Sequence, residues 1–123
     1  MEKTFFVSGA VFAFLAVAAG AFGAHALSPR LTPQHLAVYE TAARYQMYHA
    51  LALFVIAWSV TRWPEATLLA WSGRLFIAGT IIFCGTLYAI ALGGPRWLGA
   101  ITPLGGLCFL AGWATAAYAV LKS

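Results

Sequence analysis

The residues best equipped for chemistry lie in Tyr39–His49, reading YETAARYQMYH, directly ahead of the apolar run Ala50–Val60. Glu40, Arg44, Tyr45, Gln46 and His49 offer a carboxylate, a guanidinium, a phenol, an amide and an imidazole within about three helical turns. Polar groups in so apolar a setting are costly unless each finds a partner. Glu40 and Arg44 stand four apart with the acid first, the favourable order for a helical ion pair. Glu40 and His49 are nine apart, about two and a half turns, so they do not form an acid–base couple. His49 lies a turn inside the apolar boundary and needs a partner in the bundle, Tyr88 or His25 being the candidates. Every member also has a structural reading. His25 can bond a loop carbonyl, Glu40–Arg44 can be an ordinary interfacial pair, and His49 can be a satisfied core histidine. Cys84 and Cys108 lie in apolar runs with no histidine at ligand spacing, so they read as small buried residues. No metal and no cofactor is expected; a haem held by His25 and His49 is the minor alternative. No nucleophile–base pair is visible, and the chain is not expected to be an enzyme.

The elements that must position these groups are membrane helices. The 123 residues are 63% hydrophobic and only 8% charged, against roughly 25% charged in a soluble domain. Such a chain cannot coat a water-soluble globule. The net charge of +4 comes from seven basic residues scattered singly, which fits the flanks of spans near anionic lipid and excludes a nucleic-acid surface.

Four spans are read, at about 4–27, 46–62, 66–92 and 102–120, with an amphipathic segment over 33–45 extending the second. Thr4–Leu27 is about 36 Å as a helix, enough to cross a core of roughly 30 Å. Ala24-His25-Ala26 has the form of a signal-peptide cleavage site, a minor alternative for this segment. Pro29 stops the first helix. Thr32-Pro33 reads as a cap followed by proline in the first turn, and Thr102-Pro103 repeats the device. Arg62-Trp63-Pro64-Glu65 and Gly93-Gly94-Pro95-Arg96 are turns, and Trp97–Ile101 is a short interfacial piece. Small residues at Gly9, Ala13, Ala16, Gly20 and Ala24, and at Gly105, Cys108, Gly112, Thr115 and Ala119, form smooth faces for close helix approach. The fold expected is an all-α, four-helix antiparallel membrane bundle. A duplicated hairpin is a weaker reading, carried by Ser8-Gly9 against Ser72-Gly73.

Four spans put both termini on one side with Lys3, Arg62, Arg74 and Lys122, against Arg30, Arg44 and Arg96 on the other, which favours cytoplasmic termini in a bacterial inner membrane. Trp58, Trp63, Trp71 and Trp113 then read as the cytoplasmic aromatic belt. His25, Tyr45, Gln46, His49, Thr86, Tyr88 and Thr102 gather at the opposite pole, leaving mid-membrane stretches apolar.

GAFGAHAL (Gly20–Leu27), YETAARYQMYHALAL (Tyr39–Leu53), SGRLFIAGTIIFCGTLYAIAL (Ser72–Leu92) and ITPLGGLCFLAGW (Ile101–Trp113) resemble the domain-of-unknown-function 423 family of small bacterial membrane proteins, with eukaryotic relatives among small transmembrane proteins. The resemblance covers nearly the whole chain and implies about four spans; it supplies no activity. Cys84-Gly85-Thr86-Leu87-Tyr88 departs from a Ser-Gly-Ser-Leu-Tyr pattern that relatives often carry. The candidate ligand-binding cluster is His25, Glu40, Arg44, Tyr45, Gln46, His49, Tyr88 and Thr102. The expected role is an accessory or partner-binding bundle embedded in the lipid bilayer, associating with a second copy or another membrane protein; the alternative is a small-molecule or ion-binding transport subunit.

Overall fold

A computed structural model describes residues 1–123 and contains no strand. Helix α1, Glu2–Phe22, widens into a π turn at Gly23–Leu27. Helix α2, Pro33–Arg62, runs unbroken for 30 residues, about 45 Å. The third rod is α3, Leu68–Gly79, a π bulge at Thr80–Cys84, and α4, Gly85–Ala91. A 3₁₀ turn at Arg96–Ala100 leads into α5, Thr102–Lys122.

Local sequence explains most of these boundaries. Thr32 caps α2, its hydroxyl accepting the backbone N–H of His35 at 3.2 Å, with proline in the first turn where no N–H is missed. Gly93 ends the third rod with φ of 101°, a conformation that L side chains rarely adopt. Thr102 behaves differently from the expectation. The 3₁₀ turn runs straight into α5, so Thr102 is already helical and is not the cap; its hydroxyl oxygen lies 3.2 Å from Leu98 O.

Three rods, Glu2–Leu27, Leu68–Ala91 and Arg96–Lys122, are long and apolar enough to cross a membrane. α2 is longer still but carries Arg44, Gln46 and His49 within its length. The distribution of side chains is that of a membrane bundle. Large apolar groups point outward, with Phe14 74% and Leu110 68% exposed, while Ala42 and Ala50 are fully buried. The core holds Phe5, Leu53, Ile56, Leu69, Phe76 and Phe109 among these small residues.

The tightest pairings are α1 with α2 and α3 with α5, so the bundle is two hairpins. They meet where α2 lies against α3, the π bulge and α4, while α1 makes no substantial contact with α5. Glycine sets the closest approaches. A Cβ at Gly9 would lie 2.8 Å from Ala50 O, one at Gly112 would lie 2.7 Å from the Phe76 ring, and one at Gly105 would lie 2.5 Å from the Phe83 backbone nitrogen. Gly9 and Ala16 of the first small-residue face, and Gly105, Gly112 and Ala119 of the second, are therefore consumed inside the hairpins. Gly20 and Gly85 face open space.

Gly105→Ala should lower unfolding stability in detergent by about 1–3 kcal/mol, because the clash is with backbone that cannot swing aside. Gly85→Ala should not lower it, since alanine is favoured over glycine within a helix. Thermal or denaturant unfolding of the two variants against the wild type checks the pair.

Candidate functional site

α2 carries three of the five buried polar residues, Gln46, His49 and Ser59, and the first two face different neighbours. Gln46 is buried and spans two helices at once. Its amide nitrogen donates to Phe12 O of α1 at 2.8 Å, and its amide oxygen accepts the Tyr88 hydroxyl of α4 at 2.9 Å. Two turns earlier and one turn later, the same helix makes further ties. The Tyr39 hydroxyl donates to Ala19 O at 2.6 Å, and its ring fills the space left by Gly23.

His49 is 4% exposed and has both ring nitrogens engaged. The indole Nε1–H of Trp113 lies 3.1 Å from Nε2, and Nδ1 lies 2.8 Å from Tyr45 O. Indole nitrogen only donates and a carbonyl only accepts, so Nε2 is the acceptor and Nδ1 carries the proton. The imidazole is therefore the neutral Nδ1–H tautomer. It stacks on the Phe109 ring with centroids 3.6 Å apart and planes 7° from parallel, and Phe76 closes another side at 5.3 Å. His49 thus ties α2 to α5, with α3 as its floor.

A third tie joins α3 to α5: the buried Ser72 hydroxyl donates to Gly112 O at 2.7 Å. At the far end of the same seam, the hydroxyls of Thr86 and Thr102 are hydrogen-bonded to each other. Thr86 also donates toward Ile82 O at 2.7 Å and Phe83 O at 3.1 Å, carbonyls of the π bulge. No buried side-chain nitrogen or oxygen lacks a partner.

The structure therefore gathers the sequence-read cluster only in part. Gln46 meets Tyr88, His49 packs beside Tyr45, and Thr102 meets Thr86, as three separate contacts. His25, Glu40 and Arg44 are exposed and stand apart from them. The expected partner of His49 is corrected: it is Trp113 and neither Tyr88 nor His25. With both its nitrogens occupied and His25 outside, the two histidines do not present themselves as an axial pair. Trp113 is corrected too: it stands about 16 Å along α5 from Thr102, near the middle of that rod, half exposed on the outer surface with its indole N–H turned in to His49. So is the apolar mid-section, which contains His49, Trp113, Ser72 and the buried Thr80. Sequence reasoning passed over Ser72 and Trp113 because serine and tryptophan are common in membrane helices.

Beside His49 a groove of about 560 Å³ opens on the outer surface, with Tyr45, Phe83, Phe109 and Trp113 among its walls. No group of three or more histidine, cysteine or acidic side chains is arranged as metal ligands.

The model of the family described as "Protein of unknown function (DUF423)" matches residues 19–106. A "UPF0382 membrane protein" of Staphylococcus epidermidis is 42% identical over 120 residues, covering 98% of this chain and 97% of its own. A "UPF0382 membrane protein" of Staphylococcus haemolyticus is 44% identical over 90% of this chain and 89% of its own. The "UPF0382 membrane protein YwdK" of Bacillus subtilis is 41% identical over 98% of each chain. No solved structure matches.

A double-mutant cycle of His49→Phe with Trp113→Phe should give a coupling of about 0.6–1.7 kcal/mol, the span measured for interhelical hydrogen bonds in a membrane protein. The same cycle on Glu40→Gln and Arg44→Gln should give a coupling near zero, as expected of exposed groups. Unfolding in mixed micelles measures both.

Proposed function

The chain belongs to the family of proteins of unknown function DUF423, and on that footing we propose that it is an accessory bundle of the membrane, a scaffold for a membrane-protein partner or a second copy, and not an enzyme. The observation that carries this reading is the complete internal pairing of buried side-chain polar groups. Gln46, His49, Ser72, Tyr88 and Trp113 spend their hydrogen-bonding capacity on holding helices together, which leaves an outward surface made for lipid and protein contact. The connections are short, and none is large enough to form a catalytic domain.

On this reading α2 crosses the bilayer with the other three rods, because Gln46 and His49 are sheltered by α1, α4 and α5. Four crossings return both termini to one face. That face carries Lys3, Arg62, Arg74 and Lys122 with the amino terminus, against Arg30, Arg44 and Arg96, so we place it in the cytoplasm and the protein in the bacterial plasma membrane. A second reading, a small-molecule or ion-binding transport subunit acting as an oligomer, is favoured by one observation, the groove that Tyr45 and His49 help to wall.

Purification from native membranes in mild detergent should yield a stoichiometric complex, with a partner or with itself, whose composition survives His49→Ala. A monomer carrying a solute that His49→Ala releases would transfer the assignment to the second reading. Orientation is checked with Ser123→Cys: a membrane-impermeant maleimide should label it in inverted vesicles and not in intact cells, and the opposite pattern would reverse the topology.

A further inference from the structure

α2 and α5 face one another without substantial helix–helix contact. They are joined by the Trp113–His49 hydrogen bond and by the Phe109 ring stacked on the imidazole. What remains between them is a trough on the outside of the bundle, and Trp113 divides it. The compartment nearer the α1–α2 turn is the 560 Å³ groove; the other, about 420 Å³, is walled by Val55, Ile56 and Phe76. The first is within the range of roughly 300–1,000 Å³ typical of ligand sites. It opens sideways past the exposed Leu107 and Leu110, so its occupant enters from the bilayer and not from water.

The lining has no charged side chain. The imidazole nitrogens and the indole N–H are already engaged, which leaves the Tyr45 hydroxyl on one wall, and the rest of the trough recognises hydrocarbon. The nearest charge in sequence is Arg44, one residue before the lining Tyr45. Arg44 heads the stripe Arg44, Tyr48, Leu51, Val55, whose spacings of four, three and four make one rim of the trough on α2. Val55 on that stripe lines the second compartment directly. Arg44 is exposed, and no ion pair to Glu40 closes within 4.0 Å. Long helical side chains lean toward the helix N-terminus, which carries the Arg44 guanidinium toward the end of the bundle that holds Arg30 and Arg96. Tyr48, 52% exposed, has its ring 5.6 Å from that of Tyr45 at the groove wall. A free cation above a hydrocarbon slot is complementary in charge and in polarity to an anionic amphiphile.

We propose that the α2–α5 trough seats one anionic phospholipid, its phosphate on Arg44 and an acyl chain against Tyr45, Phe83, Phe109 and Trp113. This goes beyond the accessory role and does not rest on it; the lipid site stands or falls on its own whether the protein binds a partner or not.

The test is native mass spectrometry from mild detergent with added phosphatidylglycerol or phosphatidylcholine of the same chains. Wild type is compared with Arg44→Gln, which removes the cation, and Gly106→Leu, which fills the slot. A Cβ at Gly106 meets only the Phe83 ring, at 3.9 Å, so the backbone tolerates the change, and a thermal melt confirms that each variant is folded. Wild type should retain one phosphatidylglycerol per protomer about fivefold better than phosphatidylcholine, the effect of one basic residue at an anionic headgroup. Arg44→Gln should bring the two lipids level, and Gly106→Leu should lose both. Equal retention of the two lipids by wild type, or unchanged phosphatidylglycerol retention in either variant, would overturn the site. So would a lipid-free dimer that Gly106→Leu dissociates, which would give the trough to a second copy of the chain.

Discussion

A hydrogen-bonding group inside a lipid-embedded bundle has no water to fall back on, and leaving it unpaired costs several kcal/mol. That constraint organises this molecule. The helix with the most polar residues is the one with helices around it. α2 is bonded to α1 through Gln46 and Tyr39, to α4 through Gln46 and to α5 through His49. The rods that are apolar along their whole length, α1 and α5, take the outer positions and do not touch each other substantially. The chain thus inverts the logic of a water-soluble fold: polarity in the middle helix marks burial.

Hydrogen bonds of this kind contribute modestly, about 0.6 kcal/mol each on average. They fix which residue sits opposite which. The close packing that they register comes from glycine. Gly9 admits the backbone of α2, Gly112 admits Phe76, and Gly105 admits the backbone at Phe83. The π bulge at Thr80–Cys84 belongs to the same arrangement, because it lies against α5 where Gly79 and Gly105 come together. Thr86 satisfies the carbonyls that the bulge disturbs, which lets the third rod bend its hydrogen-bond ladder without leaving acceptors bare.

Much of this was legible before any coordinates. Apolar runs separated by Pro29, Pro64 and Gly93 mark four rods, and Thr32-Pro33 marks the start of α2 correctly. Gly9 and Gly112 announce close approach. Other features are invisible at that level for physical reasons. Thr102-Pro103 looks like Thr32-Pro33, but a 3₁₀ turn precedes it and removes the extended residue a cap requires. π bulges have no composition of their own. Trp113 reads as an interfacial tryptophan until the pairing of α2 with α3 and α4 brings α5 round to face His49. The exposed Glu40 and Arg44 share a helix with Gln46, yet residues six and two apart on a helix point in different directions.

The central claim is that Tyr39, Gln46 and His49 of α2 are committed to neighbouring helices, with His49 as the clearest instance. Nitrogen-15 solid-state NMR of histidine-labelled protein in lipid bilayers tests it most directly. The account predicts that His49 shows a protonated Nδ1 and a bare, hydrogen-bonded Nε2 in dipolar contact with the Trp113 indole nitrogen. An Nε2–H tautomer, or an imidazole whose nitrogens exchange with water and show no contact to Trp113, would contradict it.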